Sequence, residues 1–319
     1  MIYASVDLGG TKIACALVTA EGEVLVEGKV ATLSNEGPAG VLDRIAGLVK
    51  ELSRQAGQSP VALGMGIPGL ADLTTGVTKF LPNLPTQWRE VPVRATLEPL
   101  ICCPVYLLND VRMATLGELT FGHGRTIQTM VFFALGTGVG GGVVVDGKLR
   151  LGPMGAAGEL GHQTILPDGP LCGCGNRGCL ETLASGPAIT AQGVWLMQAG
   201  RAPKLYDLVE GDAARVTPKE MALAAEAGDD SVREALLRVS DYLGIGIANM
   251  VVSLQPELAV LGGGVAEIGP LLFDAVRESV RRRIGRLMPV EVRVEPSMLG
   301  EKAGMWGGIA LARRGGALE

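Results

Sequence analysis

His162, Cys172, Cys174 and Cys179 are the residues of this chain whose types and spacing most clearly carry chemistry. They include one of its two histidines and half of its six cysteines, gathered on a glycine-rich stretch between Gly158 and Ser185. One imidazole and three thiolates are soft ligands, and four of them are enough to close a tetrahedral zinc site. Glu159 and Glu181 flank the set. A metal-stiffened loop with a carboxylate on each side suits the presentation of polar groups to a small ligand.

Three glycine-rich turns form the second group: Gly9-Gly10-Thr11-Lys12, Gly136-Thr137-Gly138 and Gly262-Gly263-Gly264, each following an apolar run. Glycine lets the backbone approach an anion, and the exposed N–H groups then bind phosphate oxygens. The G-x-x-x-x-G-K-[ST] spacing of a Walker loop is absent, and no G-x-G-x-x-G opens a helix, so a Rossmann dinucleotide site is disfavoured. Two hairpin turns with a third glycine turn match instead an actin-like ATPase (ribonuclease H-like) fold, an α/β architecture in which a nucleotide lies between two duplicated domains.

The elements that must position these residues follow from periodicity. Ile2 to Leu8, Ile13 to Val18 and Val24 to Thr32 read as a β-meander, and Pro38 opens a helix through Gln55 with Val41, Leu42, Ile45, Leu48, Val49 and Leu52 at helical spacing. Val61 to Ile67 and Val105 to Leu108 read as strands, and Val111 to Thr120 as helix. The opening pattern then returns as Met130 to Leu135, the Gly136 turn, Gly141 to Val145 and an Asp146-Gly147 hairpin signal. Val6 to Thr11 and Phe133 to Gly138 look like cousins, which implies internal duplication. Helices dominate from Gly186 to about Gln255, Glu257 to Leu261 is a strand, and Leu271 to Ile284 and Ala303 to Arg313 are helices. The expected division is a small N-terminal α/β domain over 1–109, with a C-terminal helix at about 303–319 packing back on it, and a large α/β domain over 110–302 carrying the zinc loop.

With 319 residues the chain has room for two domains, each with its own core. A net charge of −5 argues against a nucleic-acid partner, and the run Arg277 to Arg286 reads as a solvated helix face or a phosphate or oligomer contact. The first residues enter a strand directly, so no secretory signal is expected, and no run approaches the ~18 apolar residues of a membrane span. Cys15, Cys102 and Cys103 sit in apolar surroundings and read as reduced core thiols, in keeping with a cytoplasmic protein.

Asp7-Leu8-Gly9-Gly10-Thr11-Lys12, Leu108-Asn109-Asp110, Glu159-x-x-His162 and Cys172-x-Cys174-Gly175-x-x-Gly178-Cys179-x-Glu181 together resemble the ROK family. That family contains sugar kinases, related transcriptional repressors and uncharacterised open reading frames. The match runs through essentially the whole chain in order, and the cysteine motif is its most specific part. The resemblance implies ATP-dependent phosphorylation of a hexose at the 6-hydroxyl, with glucose as first choice and N-acetylglucosamine or N-acetylmannosamine as the alternative. Pro82-Asn83-Leu84-Pro85 with Trp88 resembles a segment common in the family's glucokinases and reads as a loop at the mouth of the cleft.

On these positions the resemblance makes Asp110 the catalytic base, worth about 10²–10⁴-fold in rate. The residue's own reading is an N-cap for a helix starting at Val111, and the two roles are compatible. Asn109, Glu159, His162 and Glu181 match sugar-holding positions, with Gly69 as a backbone contact. His162 is implied to serve twice, one ring nitrogen on a structural zinc and the other toward sugar, and a zinc that only staples the fold is the other reading. Asp7 matches a position for Mg²⁺, held through water. Gly9, Gly10, Thr11, Lys12, Thr137 and Gly138 would cradle phosphates, although Lys12 reads equally as a surface lysine at a turn. Gly263 and Gly264 would border the adenosine. The implied partners are a small sugar and ATP, with no nucleic acid and no membrane, in a homodimer or homotetramer. A sugar-responsive repressor is the competing class, but family repressors carry a helix-turn-helix ahead of the phosphate loop, where Asp7 leaves no room. An actin-like filament or chaperone ATPase is disfavoured by the zinc motif and the paired glutamates.

Overall fold

The computed structural model describes residues 1–286 and 292–318. In chain order the strands and α-helices begin with β1 (Ile2–Leu8), β2 (Lys12–Thr19), β3 (Val24–Ala31), α1 (Gly37–Ala56), β4 (Leu63–Ile67), β5 (Leu70–Asp72), β6 (Val77–Phe80), α2 (Val93–Ile101), β7 (Val105–Asn109) and α3 (Asp110–Phe121). They continue with β8 (Met130–Leu135), β9 (Val139–Val145), β10 (Lys148–Arg150), α4 (Leu180–Ala184), α5 (Gly186–Gln198), α6 (Pro203–Leu208), α7 (Pro218–Glu226), α8 (Asp230–Leu254), β11 (Leu258–Gly262), α9 (Pro270–Ile284), β12 (Arg293–Pro296) and α10 (Ala303–Arg313).

The chain divides into two compact units. The first holds Met1–Thr126, Gly147–Ala157 and Glu301–Glu319, and the second holds Ile127–Asp146 and Gly158–Gly300. In the first, the sheet order is β3-β2-β1-β4-β7. β1 runs antiparallel to β2 and parallel to β4, and β4 runs parallel to β7. In the second, β9, β8, β11 and β12 repeat that wiring, with β8 antiparallel to β9 and parallel to β11, and β11 parallel to β12. The duplication read from two cousin segments is therefore present in strand order and direction. Both opening hairpins also close alike, Gly9 N–H donating to the Lys12 carbonyl at 3.0 Å and Gly136 N–H to the Gly138 carbonyl at 2.9 Å.

Each unit has its own apolar core. Central strands β4 and β11 are buried along their whole length, as parallel strands covered on both faces must be. α1 turns Val41, Leu42, Ile45, Leu48, Val49 and Leu52 inward and stops at Gly57, whose φ of 68° only glycine adopts readily. In the second unit α8 packs against α4, α5, α7 and α9. By length and composition α8 is also the one helix among the described residues that could cross a membrane, its 18-residue window having a mean hydropathy of 1.3. That qualifies the expectation drawn from apolar runs alone. The window is 56% buried, as in the core helix of a folded domain.

The boundary expected between Asn109 and Asp110 falls after Thr126 instead. α3 stays with the first unit because it packs along α10, which in turn lies on β1 and β4. Of the expected large domain, 287–291 lie outside the described residues, as does 319 of the C-terminal segment. Cys102 departs from the expectation of a core thiol. It caps α2 in the left-handed region and is exposed, whereas Cys15 and Cys103 are buried. The arginine run is heavily paired: Arg277 with Asp274 and Glu295, Arg281 with Glu278, and Arg282 and Arg283 with Asp241.

α3 and α10 meet backbone to backbone. A Cβ on Gly117 would overlap the Ala303 carbonyl oxygen, and one on Gly307 would overlap that of Met113. Gly304, on the same helix, has nothing within 4 Å of where a Cβ would stand. Gly307→Ala should therefore destabilise the fold by roughly 1–3 kcal/mol through overpacking. Gly304→Ala should be neutral or stabilising by up to about 1 kcal/mol through helix propensity. Urea denaturation of both variants checks this, and equal midpoints would remove the packing argument.

Candidate functional site

In the first unit the candidate residues collect at the edge of the sheet where the parallel strands end, the usual ligand edge of an open α/β sheet. Asp7 pairs in register with Gly66 of β4, and Gly66 with Leu108 of β7. A Cβ on Gly66 would lie 3.5 Å from the Asp110 Cα, so Asp110 stands above β4, one strand over from Asp7. Part of the Asp7 side chain remains in solvent. Burial of the rest pushes its carboxyl above the usual carboxylate range, and the nearby Lys12 ammonium pulls it back in part. The Gly9 carbonyl accepts from the Thr32 hydroxyl at 2.7 Å, which fixes the turn carrying Gly10 and Thr11. Gly10 packs close to the Asn83 carbonyl, with 3.6 Å left for a Cβ. The Pro82 to Pro85 loop thus lies beside the glycine turn. It continues through three consecutive left-handed residues, Thr86, Gln87 and Trp88, and buries the Trp88 ring in the core.

Asn109, and not Asp110, is the N-cap of α3. Its Oδ1 accepts from the backbone N–H of Val111 at 3.1 Å and of Arg112 at 3.2 Å. Asp110 is the first residue of the helix, with Oδ1 accepting from Val111 N–H at 2.8 Å. The positive end of α3 favours a negative charge there. Asn109 Nδ2 donates to the Gly69 carbonyl at 3.3 Å, and Gly69 N–H donates to the Ile67 carbonyl at 2.9 Å. Both polar groups of Gly69 are thus engaged within the protein, and it serves to hold Asn109. A residue that the sequence motifs pass over, Arg112, is 1% exposed and donates from Nη1 to Asn109 Oδ1 at 2.9 Å. Its Nε and Nη2 donate to the carbonyls of Ala157 and Ala156, each at 3.1 Å.

In the second unit His162, Cys172, Cys174 and Cys179 come together, their ligand atoms all within 4.8 Å of one another. Zinc bonds of about 2.3 Å to sulfur and 2.0–2.1 Å to nitrogen imply tetrahedron edges of roughly 3.8 Å between sulfurs and 3.6 Å from sulfur to nitrogen. Cys174 and Cys179 Sγ are 3.7 Å apart, and Cys172 Sγ is 3.6 Å from His162 Nδ1. The donor set therefore fits a tetrahedral metal. A tight turn builds it: Cys172 N–H donates to the Asn176 carbonyl at 2.7 Å and Gly175 N–H to the Cys172 carbonyl at 2.9 Å. Asn176 Nδ2 then ties the turn to Thr164 Oγ1 at 2.8 Å. Burial and the neighbouring thiols push the Cys179 thiol up to about 12, and a divalent metal at this spacing would favour the thiolate forms.

Glu181 joins the cluster to the glycine turn. Its Oε2 accepts from Val139 N–H at 3.0 Å, and its Oε1 lies 3.9 Å from Cys172 Sγ. Glu159 is exposed and leads into the short 3-10 turn Leu160–His162. The Gly136 carbonyl accepts from Gly186 N–H at 2.8 Å, so the start of α5, capped by Ser185, abuts the Thr137–Gly138 turn. Gly263, at φ 85°, crosses the Leu135 carbonyl so closely that a Cβ would overlap it. Gly264 opens the following 3-10 turn. Two glycine turns and the start of α5 thus converge in one place. The sequence carried no signal for the α5 contribution beyond Ser185 followed by Gly-Pro.

Known proteins share this arrangement over nearly the full length. A family model described as "ROK family" matches residues 3–315. A glucokinase of Streptomyces coelicolor is 35% identical over 312 residues, spanning 97% of this chain and 96% of its own. A crystal structure of a ROK family glucokinase from Streptomyces griseus, in complex with glucose and AMPPNP, superposes with a TM-score of 0.84 at 35% identity, covering 98% of this chain and 100% of that one. A xylose repressor of Caldicellulosiruptor bescii is 31% identical, over 96% of this chain and 76% of its own length. With two glycine-turn hairpins on duplicated sheets and a histidine–cysteine cluster in the second, the chain belongs to the ROK family.

Proposed function

We propose that this chain transfers the γ-phosphoryl group of ATP to the 6-hydroxyl of glucose. One observation carries the reading: a relative that binds glucose and an ATP analogue matches over 98% of the chain at a TM-score of 0.84. Asp110 is the base in this reading. Its carboxylate accepts the proton of the sugar O6–H while that oxygen attacks the γ-phosphorus, and ADP leaves with the electron pair of the broken P–O bond. The Val111 N–H bond at the N-terminus of α3 holds that carboxylate in place. Asn109 presents an N–H to the sugar, because its oxygen is taken up by the cap. Glu159, Glu181 and His162 hold further hydroxyls, where an unpaired buried polar group costs about 1–3 kcal/mol and so discriminates between sugars.

Asp7 would hold Mg²⁺ through water, from the end of β1 beside the Gly9–Lys12 turn. The ion would offset phosphate charge. Thr11, Lys12, Thr137 and Gly138 line the phosphate path, with Gly9 and Gly10 shaping the first turn and Gly263 and Gly264 beside the adenosine. His162, Cys172, Cys174 and Cys179 would hold Zn²⁺, whose contribution is to orient the imidazole. His162 Nδ1 faces the thiols, which leaves Nε2 for the sugar. Six free cysteines suit a reducing cytoplasm. The repressor relative favours a second reading, a sugar sensor on the same fold, and a gel shift with operator DNA would bring it forward.

A panel of hexoses and N-acetylhexosamines with ATP and Mg²⁺ should give the highest kcat/KM for glucose, and absence of turnover on every sugar would sink the kinase reading. Asp110→Asn should retain glucose binding and lose roughly 10²–10⁴-fold in kcat. Calorimetry and single-turnover kinetics measure the two effects, and near-normal turnover would take Asp110 out of the mechanism. Cys172→Ala should lose zinc, by elemental analysis of the purified protein, and weaken glucose affinity together with it. Undiminished affinity in a zinc-free variant would leave the metal as a fold staple.

A further inference from the structure

Arg112 sits two residues after the proposed base, in the first turn of α3, and it is 1% exposed. Both placements are costly. A cation opposes the positive end of a helix, and a buried guanidinium forfeits its hydration. Such a residue is kept only where its donors do something that a neutral side chain cannot. Its planar fork reaches three acceptors at once: Asn109 Oδ1 at 2.9 Å, Ala156 O at 3.1 Å and Ala157 O at 3.1 Å.

The acceptors explain the arrangement. Asn109 Oδ1 already takes two backbone N–H groups, and the guanidinium makes a third donor, so this amide can turn only its NH₂ outward. Ala156 and Ala157 end a strap that begins after β10 and contains Gly152 at φ 66° and Gly155 at φ 75°. Two glycines in the left-handed region leave that backbone with little intrinsic order. Its internal bonds are few: Ala157 N–H to Leu151 O at 2.8 Å and Gly155 N–H to Gly152 O at 3.3 Å. Arg112 adds two fasteners at the point where the chain leaves for Gly158 and Glu159.

We propose that Arg112 is a positioning residue for sugar recognition: it locks the Asn109 amide as a donor and pins the strap from which Glu159 departs. The proposal rests on the kinase reading. Its effect is expected on the sugar more than on ATP, because Asn109 Oδ1, Ala156 O and Ala157 O lie outside the glycine turns.

Arg112→Gln keeps hydrogen-bonding capacity but loses the charge and the three-way fork, and Arg112→Lys keeps the charge and three donors without the planar fork. Steady-state kinetics in both substrates should show the glucose KM raised roughly tenfold or more in Arg112→Gln, with the ATP KM within about twofold of wild type. Arg112→Lys should recover only part of the loss, since three donors on one nitrogen cannot match acceptors spread along a planar fork. Thermal melts and zinc content confirm that the compared proteins are folded. An unchanged glucose KM in folded Arg112→Gln, an equal rise in both KM values, or failure of both variants to fold would each overturn the proposal. Wild-type protein that fails to phosphorylate glucose would overturn the kinase reading instead, so the two failures are distinguishable.

Discussion

The junction of β7 with α3 depends on one acceptor, the Asn109 side-chain oxygen. A parallel strand that turns directly into a helix leaves the first helical N–H groups without partners, and a buried orphan donor is expensive. Asn109 answers two of them and takes the Arg112 guanidinium as well. The same side chain reaches back to the Gly69 carbonyl at the end of β4. Strand end, helix start, strap and neighbouring loop are thus tied through one amide, and Asp110 has its place because that amide holds the turn. An exposed aspartate on a free loop would face the same chemistry without the geometry, and positioning is most of what a phosphoryl-transfer enzyme supplies.

The second unit solves its positioning problem with ligands in place of a long helix. Residues 158–180 contain little regular structure, and glycine at several points raises the entropy of the unfolded loop. Four soft donors within 4.8 Å of one another would supply a cross-link for that stretch through a bound metal. Glu181 carries the constraint outward, with one carboxylate oxygen on the Val139 N–H of the glycine hairpin and the other near Cys172. The histidine, the glutamate and the turn expected to meet phosphate are therefore mechanically connected within one unit. A change at the cysteines is felt at the turn.

A glucokinase and a xylose repressor are both similar to this chain over nearly its full length, so the fold alone does not decide chemistry. What separates the readings is the content of particular sites. In the proposed reading, the aspartate at the first position of α3 and the carboxylate one strand away would serve phosphoryl transfer, which a sensor does not require. The duplication makes both economical. Each half repeats an antiparallel hairpin followed by parallel strands, and each ends its hairpin in a glycine turn.

Much of this was legible in the residues themselves. Strand and helix periodicity located β1, α1, β8, α9 and α10 to within a few residues, because a buried face imposes its period on the sequence. The histidine–cysteine cluster was legible because cysteine and histidine are rare here and closely spaced. β5 and β12 were not, being strands of three and four residues that are too short to show a period, nor was α2, which carries Pro99 within it. The unit boundary was misjudged because α3 is held by α10, nearly two hundred residues later, through glycine contacts that leave no local mark. Sequence by itself determined which groups are present and their local conformations, since those follow from side-chain chemistry and near neighbours. Only the tertiary structure decided that the Asn109 amide reaches the Gly69 carbonyl, that Asp7 and Asp110 share a sheet edge, and that Arg112 is buried against two carbonyls, because partners distant in the chain meet only once strands and helices have packed.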